Sequence, residues 1–231
     1  MMKKIKPINL LDTCPLRPEK LAVVDAVKEI LTIARVPDTI SLYDYGRWRH
    51  EQWRGEDDDL VPFLSVDWYV ANAWDTTRMQ VNAEMLMTLL AEEPWRRKDM
   101  LGDHYDILIL DEDLYTSRPG WPEDFLVAIA KQKVGTAIST FRLGSCPFTI
   151  LKTVTMHELA HVFGVPDPDR DDVDTRFGLH CANTCIMRYA ARTPDDWESY
   201  TWDRFRRGPF CEACVRDLRR YFAEADGAAG A

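Results

Sequence analysis

The sequence predicts an α+β fold, on three observations. Two short apolar runs, YDILILD (Tyr105 to Asp111) and TAISTF (Thr136 to Phe141), have the length and composition of buried strands. Two longer stretches, residues 18–35 and the run from Arg78, space their apolar residues as helices do. A third helical stretch, Met156 to Pro166, places two histidines four residues apart behind those strands.

At 231 residues the chain is long enough for one large domain or two small ones and buries a core without disulfides. Its 46% apolar content is that of an ordinary soluble protein, and no run approaches the length of a membrane span. The start, MMKKIKPINLL, lacks the sustained apolar region of an export signal, so a cytoplasmic protein is expected. A net charge of −9 argues against a general nucleic-acid binder. Four of the six cysteines fall in CxxxC (Cys181, Cys185) and CxxC (Cys211, Cys214), a pattern of metal ligation rather than bridging; Cys14 and Cys146 read as buried thiols.

Taken in order, residues 18–35 set Leu21, Val24, Val27 and Leu31 on one face of a helix backing a sheet, with Pro18 in its first turn. TISLYDY, from Thr39, alternates like a strand, and RWRHEQWRGEDDD (Arg47 to Asp59) reads as a solvated excursion. From Arg78 the run RMQVNAEMLMTLLAE places Val81, Met85 and Leu89 on the core face of a helix, with Leu86 and Leu90 beside them. Strands follow at Tyr105, at Phe125 to Ala130 and at Thr136. Pro147 opens the helix that carries the histidine pair, and VRDLRRYFAEA after Cys214 forms a closing helix with a frayed tail.

His157, Glu158 and His161 make the pattern HExxH. A spacing of four sets both imidazoles on one helix face, roughly 6 Å apart along the axis, within reach of one metal ion. Glu158 then stands beside that ion, where a carboxylate can take a proton from an activated water. Gly164 suits the left-handed turn that ends such a helix and sends the chain back toward a third ligand. Downstream the remaining histidine is His180, in the run GLHCANTCIMRY.

With those residues in place, the chain resembles the archaemetzincins, a family of metzincin zinc peptidases, whose pattern is HExxHxxGxxHC, a further cysteine, a methionine and a CxxC. The matching positions are His157, Glu158, His161, Gly164, His180, Cys181, Cys185, Met187, Cys211 and Cys214, and the likeness covers roughly residues 76–220. Fifteen residues separate Gly164 from His180 where the family usually has two, and three rather than four separate Cys181 from Cys185. Asp167 therefore occupies the register of the family's third histidine; His180 is preferred as third ligand because it keeps its cysteine neighbour. The insertion VPDPDRDDVDTRFGL begins like a calcium loop at Asp167, Asp169 and Asp171, but Asp172 stands where the loop needs glycine; it reads as a solvated acidic loop.

The resemblance implies a single metallopeptidase domain: an upper part over residues 1–164 with a mixed sheet, and a lower part over residues 165–231, with the substrate in a cleft between them. It implies two zinc ions, a catalytic one on His157, His161 and His180 and a structural one on Cys181, Cys185, Cys211 and Cys214. Glu158 becomes the general base, Met187 an apolar floor, and the strand at Phe125 to Ala130 the rim of the cleft. Tyr189 is either an oxyanion donor or simple packing. Arg206, Arg207, Arg219 and Arg220 would suit a nucleic-acid-binding zinc ribbon, a reading that the acidic whole opposes. A non-catalytic zinc-stabilised module, or a hydrolase of another amide or ester, meets the same ligand pattern; peptide-bond hydrolysis is the reading that also uses Glu158.

Overall fold

Strand β1 (Ile8–Asp12) is apolar on both faces, and all five residues are buried. Helix α1 (Arg17–Ala34) follows, then strand β2 (Leu42–Gly46). Helix α2 (Val66–Ala73) is capped by Ser65, whose hydroxyl accepts from the amide of Trp68. Strands β3 (Trp74–Asp75) and β4 (Gln80–Asn82) form a hairpin, and helix α3 (Ala83–Glu92) leaves directly from it. Strands β5 (Tyr105–Leu110), β6 (Leu114–Tyr115, which pairs with β4), β7 (Ala128–Lys131) and β8 (Gly135–Ser139) follow. Helix α4 (Pro147–Val162), the short strands β9 (Val173–Asp174) and β10 (His180–Cys181), and helices α5 (Asp195–Arg207) and α6 (Glu212–Gly227) complete the chain. These elements come from a computed structural model that describes residues 6–13, 17–36, 40–49, 62–96, 102–121, 124–143, 147–190 and 195–227.

Two compact units result, and neither is one continuous piece of chain. The first comprises residues 6–16 and 40–142 and holds a five-stranded sheet ordered β2-β1-β5-β8-β7. Its strands run parallel except β7, which pairs antiparallel with β8 at the edge. Leu11, Leu108, Leu110 and Ala137 of the sheet share a core with Val66 and Tyr69 of α2 and Leu86 and Leu90 of α3. The second unit comprises residues 1–5, 17–39 and 143–231, in which α1 packs on α4 and α6, and α4 on α5.

The strands at Tyr105 and Thr136 stand where the sequence puts them. The strand expected over Phe125 to Ala130 begins later, at Ala128. Helix α1 has the expected extent but a different inner face: Ala22, Val23, Ala26, Val27 and Ile30 are buried, and Leu21 is 49% exposed. The run from Arg78 is helical only from Ala83. Met79 takes a left-handed backbone, Gln80 to Asn82 pair as a strand, and the Asn82 side chain caps the helix by accepting from the Met85 amide. Met85 consequently faces outward, and Leu86, Met87 and Leu90 face in.

The expected solvated excursion from Arg47 is corrected at Arg49, whose side chain is fully buried. Its guanidinium meets Glu93 at 2.5 Å and Asp106 at 3.1 Å. Burial without such partners would cost several kcal/mol or more, so the carboxylates on neighbouring elements decide its place. Residues 50–59 of that stretch, together with Cys14 and Cys146, lie outside the described residues. Among the described residues, no helix is long and apolar enough to cross a membrane.

Candidate metal centres

Helix α4 carries His157, Glu158 and His161 on its last two turns, and His157 and Glu158 are buried. The His157 Nδ1 lies 2.7 Å from the carbonyl of Ile186. A carbonyl only accepts, so the proton sits on Nδ1 and leaves Nε2 as the free electron pair. That Nε2 lies 3.0 Å from Nε2 of His161. The helix then ends as Gly164, with φ of 73°, brings its amide to the carbonyl of His161.

His180 arrives from the insertion. Residues 173–181 form a small hairpin in which His180 pairs with Asp174, and Cys181 with Val173. Gly178, with φ of 104°, turns it; a Cβ there would stand 3.3 Å from the His180 ring. The His180 ring centroid lies 5.4 Å from that of His157 and 5.1 Å from that of His161. One nitrogen from each of the three rings falls within 4.8 Å of the others.

The chemistry of this donor set fits a zinc ion. Ligands at about 2.0–2.1 Å in a tetrahedron stand about 3.3 Å apart, close to the His157–His161 separation. Burial, reinforced by the neighbouring His180, depresses His157 to about 3. Burial likewise takes His161 well below its ordinary range and lowers His180. All three rings are thus neutral near pH 7, the form that ligates. Among the described residues, the buried Nδ1 of His180 has no partner at hydrogen-bond geometry. Glu158 stands beside them, its Oε1 4.0 Å from Nε2 of His157, and burial raises its carboxyl to about 8.

Asp167 lies earlier in the insertion. Its carboxylate accepts from the Asp169 amide at 2.8 Å and pairs with Arg220 of α6 at 3.1 Å. Met187 is fully buried, and its carbonyl accepts from the Cys181 amide at 2.8 Å. The Tyr189 ring lies edge-on to His180 at 5.4 Å and stacks on Phe177 at 4.8 Å. Trp197 of α5 packs edge-on against His157 at 5.1 Å. Phe177 and Trp197 carry no motif, and the sequence gives no signal for either beyond aromatic character.

The four cysteines Cys181, Cys185, Cys211 and Cys214 bring their sulfurs within 4.8 Å of one another. All four are free thiols. Cys181 and Cys211 are 3.7 Å apart, and Cys185 and Cys214 3.9 Å. A tetrahedron of Zn–S bonds about 2.3 Å long has an edge of about 3.8 Å, so these sulfurs fit one zinc ion. Bonds shared among the sulfurs, first that with Cys185, hold the Cys181 thiol well below its ordinary range.

The insertion is more than a solvated acidic loop, which corrects that expectation. Asp169 and Asp171 are exposed, but Arg170 between them turns inward to Asp172, Asp217 and two of the sulfurs. Its signal in the sequence is its position as the one cation in DPDRDD.

A third group, Glu93, His104 and Asp106, also draws within 4.8 Å. Its carboxylates already face cations and a donor: Arg49 at Glu93 and Asp106, Arg96 at Asp106 at 2.7 Å, and Tyr69 donating to Glu93 at 2.9 Å. His104 meets the Gly102 carbonyl through Nδ1 and Glu93 through Nε2, at 2.8 and 2.5 Å. With both nitrogens donating to acceptors, the ring is an imidazolium, and these carboxylates raise it to about 9 despite the burial that opposes them. Three cations among two carboxylates make an ion-pair network, not a metal site.

No protein-family model and no curated protein matches the sequence. Among solved structures, the chain is similar to the crystal structure of archaemetzincin from Methanopyrus kandleri, with a TM-score of 0.59 and 18% identity over 95% of this chain and 97% of that one. A likeness of that extent at that identity is a likeness of fold: the chain is built as a mixed-sheet α+β protein of the archaemetzincin type.

Proposed function

We propose that the chain is a zinc-dependent metallopeptidase acting on a peptide or protein, with a catalytic ion on His157, His161 and His180 and a structural ion on the four cysteines. The observation that carries this reading is the convergence of three neutral, buried imidazoles with a buried carboxylate next to them on the same helix. When bound there, zinc polarises a carbonyl and lowers the pKa of a coordinated water to about 7. His157 is held in the ligating tautomer by the Ile186 carbonyl, and His180 is brought in by the β9–β10 hairpin. The Glu158 carboxylate takes the proton of the attacking water and passes it to the departing amide nitrogen. Burial alone raises its carboxyl to about 8, and a dication held beside it would favour the ionised form.

Tyr189, edge-on to His180, donates its hydroxyl to the carbonyl oxygen as negative charge develops there. Cys181, directly after His180, and Cys214 on α6 would hold the second ion between them, which would tie the His180 segment to that helix. The same reading takes the protein as cytoplasmic and needs neither membrane nor nucleic acid.

A peptide-library digest followed by mass spectrometry, run beside elemental analysis, tests the assignment. Wild type is expected to cleave and to carry about two zinc ions per chain. Glu158→Gln is expected to lose at least 10²-fold in kcat while keeping both ions. Equal cleavage by wild type and Glu158→Gln would remove Glu158 from the mechanism, and folded, reduced protein holding no zinc would remove the metal centres.

A further inference from the structure

We propose that Arg170 is a positioning residue of the four-cysteine metal site: it donates to the thiolates, offsets their charge, and so ties the inserted segment to the ion. The inference rests on the reading of those cysteines as a zinc site. The Arg170 Nη1 lies 3.4 Å from Sγ of Cys214, and Nη2 3.3 Å from Sγ of Cys181. Both are ordinary N–H···S distances. The guanidinium is held for this by a fork to Asp172, Nε to Oδ1 at 2.7 Å and Nη2 to Oδ2 at 2.8 Å, and by Nη1 to Asp217 at 2.6 Å. Its side chain is 12% exposed.

The charge count explains why a cation belongs there. Four thiolates around a zinc dication leave a net charge of −2, and Asp172 and Asp217 add two carboxylates at the edge of the cluster. Arg170 stands between these anions and touches both kinds, so it removes a repulsion that the cluster would otherwise meet on filling. Lysine would bring the charge, but a guanidinium alone reaches two sulfurs and two carboxylates through fixed, divergent N–H groups. Asn183 completes the outer ring, its backbone amide 3.4 Å from Cys181 and its side chain bonded to Asp172.

The position in the chain gives the contact its consequence. Asp172 immediately precedes β9, and its carbonyl accepts from the Ala182 amide at 2.9 Å. Arg170 therefore pins the base of the hairpin that presents His180. The fifteen inserted residues are anchored on the structural metal rather than left as an excursion.

Cobalt(II) substitution of the full chain reads this directly, because sulfur-to-cobalt charge-transfer bands arise from the cysteine site and not from a histidine site. Wild type is expected to show the near-ultraviolet bands of a four-thiolate cobalt centre. In Arg170→Gln these bands move to longer wavelength, as sulfurs without N–H donors become easier to oxidise, and the metal is lost to a chelator about 10- to 100-fold faster. Arg170→Lys should recover part of the retention but not the band position. If Arg170→Gln does not fold, Asp172→Asn, which loosens the fork and keeps the guanidinium, is expected to speed metal loss to a lesser degree. Wild-type spectra and retention in these variants would overturn the role of Arg170. An absence of charge-transfer bands in the wild type would instead overturn the four-cysteine metal site, a separate failure.

Discussion

Gly178 and His180 show how narrow the tolerances at the first centre are. An alanine at 178 would have to hold a φ of 104° and place its Cβ 3.3 Å from the His180 ring. Gly178→Ala is expected to cost about 1–3 kcal/mol in stability and to weaken retention of the catalytic ion, both measurable by thermal denaturation with and without chelator. The choice of third ligand is decided by a paired comparison. His180→Ala should hold one zinc fewer than wild type, whereas Asp167→Ala should keep the full complement, because the Asp167 carboxylate is spent on Arg220 and on the Asp169 amide. Loss of zinc from Asp167→Ala alone would reverse the assignment. The HExxH pair was legible because helical spacing is local; His180 was legible through its cysteine neighbour alone, because fifteen inserted residues erase the register, and the hairpin is what carries its ring toward the pair.

At the level of elements, the network around Arg49 joins the segment after β2 to the end of α3 and the start of β5. Removing one partner leaves a buried charge unmatched. Glu93→Gln is accordingly expected to destabilise by about 3–5 kcal/mol in chemical denaturation, far more than an exposed acid-to-amide change. A cost below about 1 kcal/mol would mean that water enters the network. In the sequence, Arg49 sits in a run of arginines, acids and tryptophans that reads as solvated, and the partners that bury it lie 44 and 57 positions away. Helix α5 escaped the sequence reading for a related reason. Its inner positions Trp197, Tyr200, Thr201 and Arg204 have helical spacing, but they are mixed in polarity, and only α4 beside them makes that face an interior one. Helix α3 was found but begun five residues early, since periodicity does not register a left-handed Met79 or an Asn82 cap.

Across the molecule, the sheet and the helix of the histidine pair were legible as types because each depends on short-range pattern. The division into two interleaved units was not, because it depends on which helices pack together. A global consequence of the buried network is a pH dependence of stability. His104 is raised to about 9 in the folded chain, above its ordinary value of about 6.5. Its contribution is therefore fully present below about pH 6.5 and is lost as the pH rises through 9, on the order of 3 kcal/mol in all. The stability gap between wild type and His104→Gln should narrow over that interval in urea titrations at a series of pH values. A gap constant from pH 6 to 10 would show that His104 is not charged in the fold.

Helix α1 bears on how this protein can be divided. It packs on α4 and α6, its Ala22, Val23, Ala26 and Ile30 are buried, and Glu29 reaches Lys152 of α4 at 2.8 Å, yet more than a hundred residues of the other unit separate it in sequence from α4. A fragment begun at Leu143 would hold every cysteine and histidine of the two centres and leave the apolar side of their supporting helices facing water. Any shortened version meant to keep the proposed metal sites has to supply α1 as well, joined by a new linker or added as a separate peptide, although all seven candidate ligands lie beyond position 156.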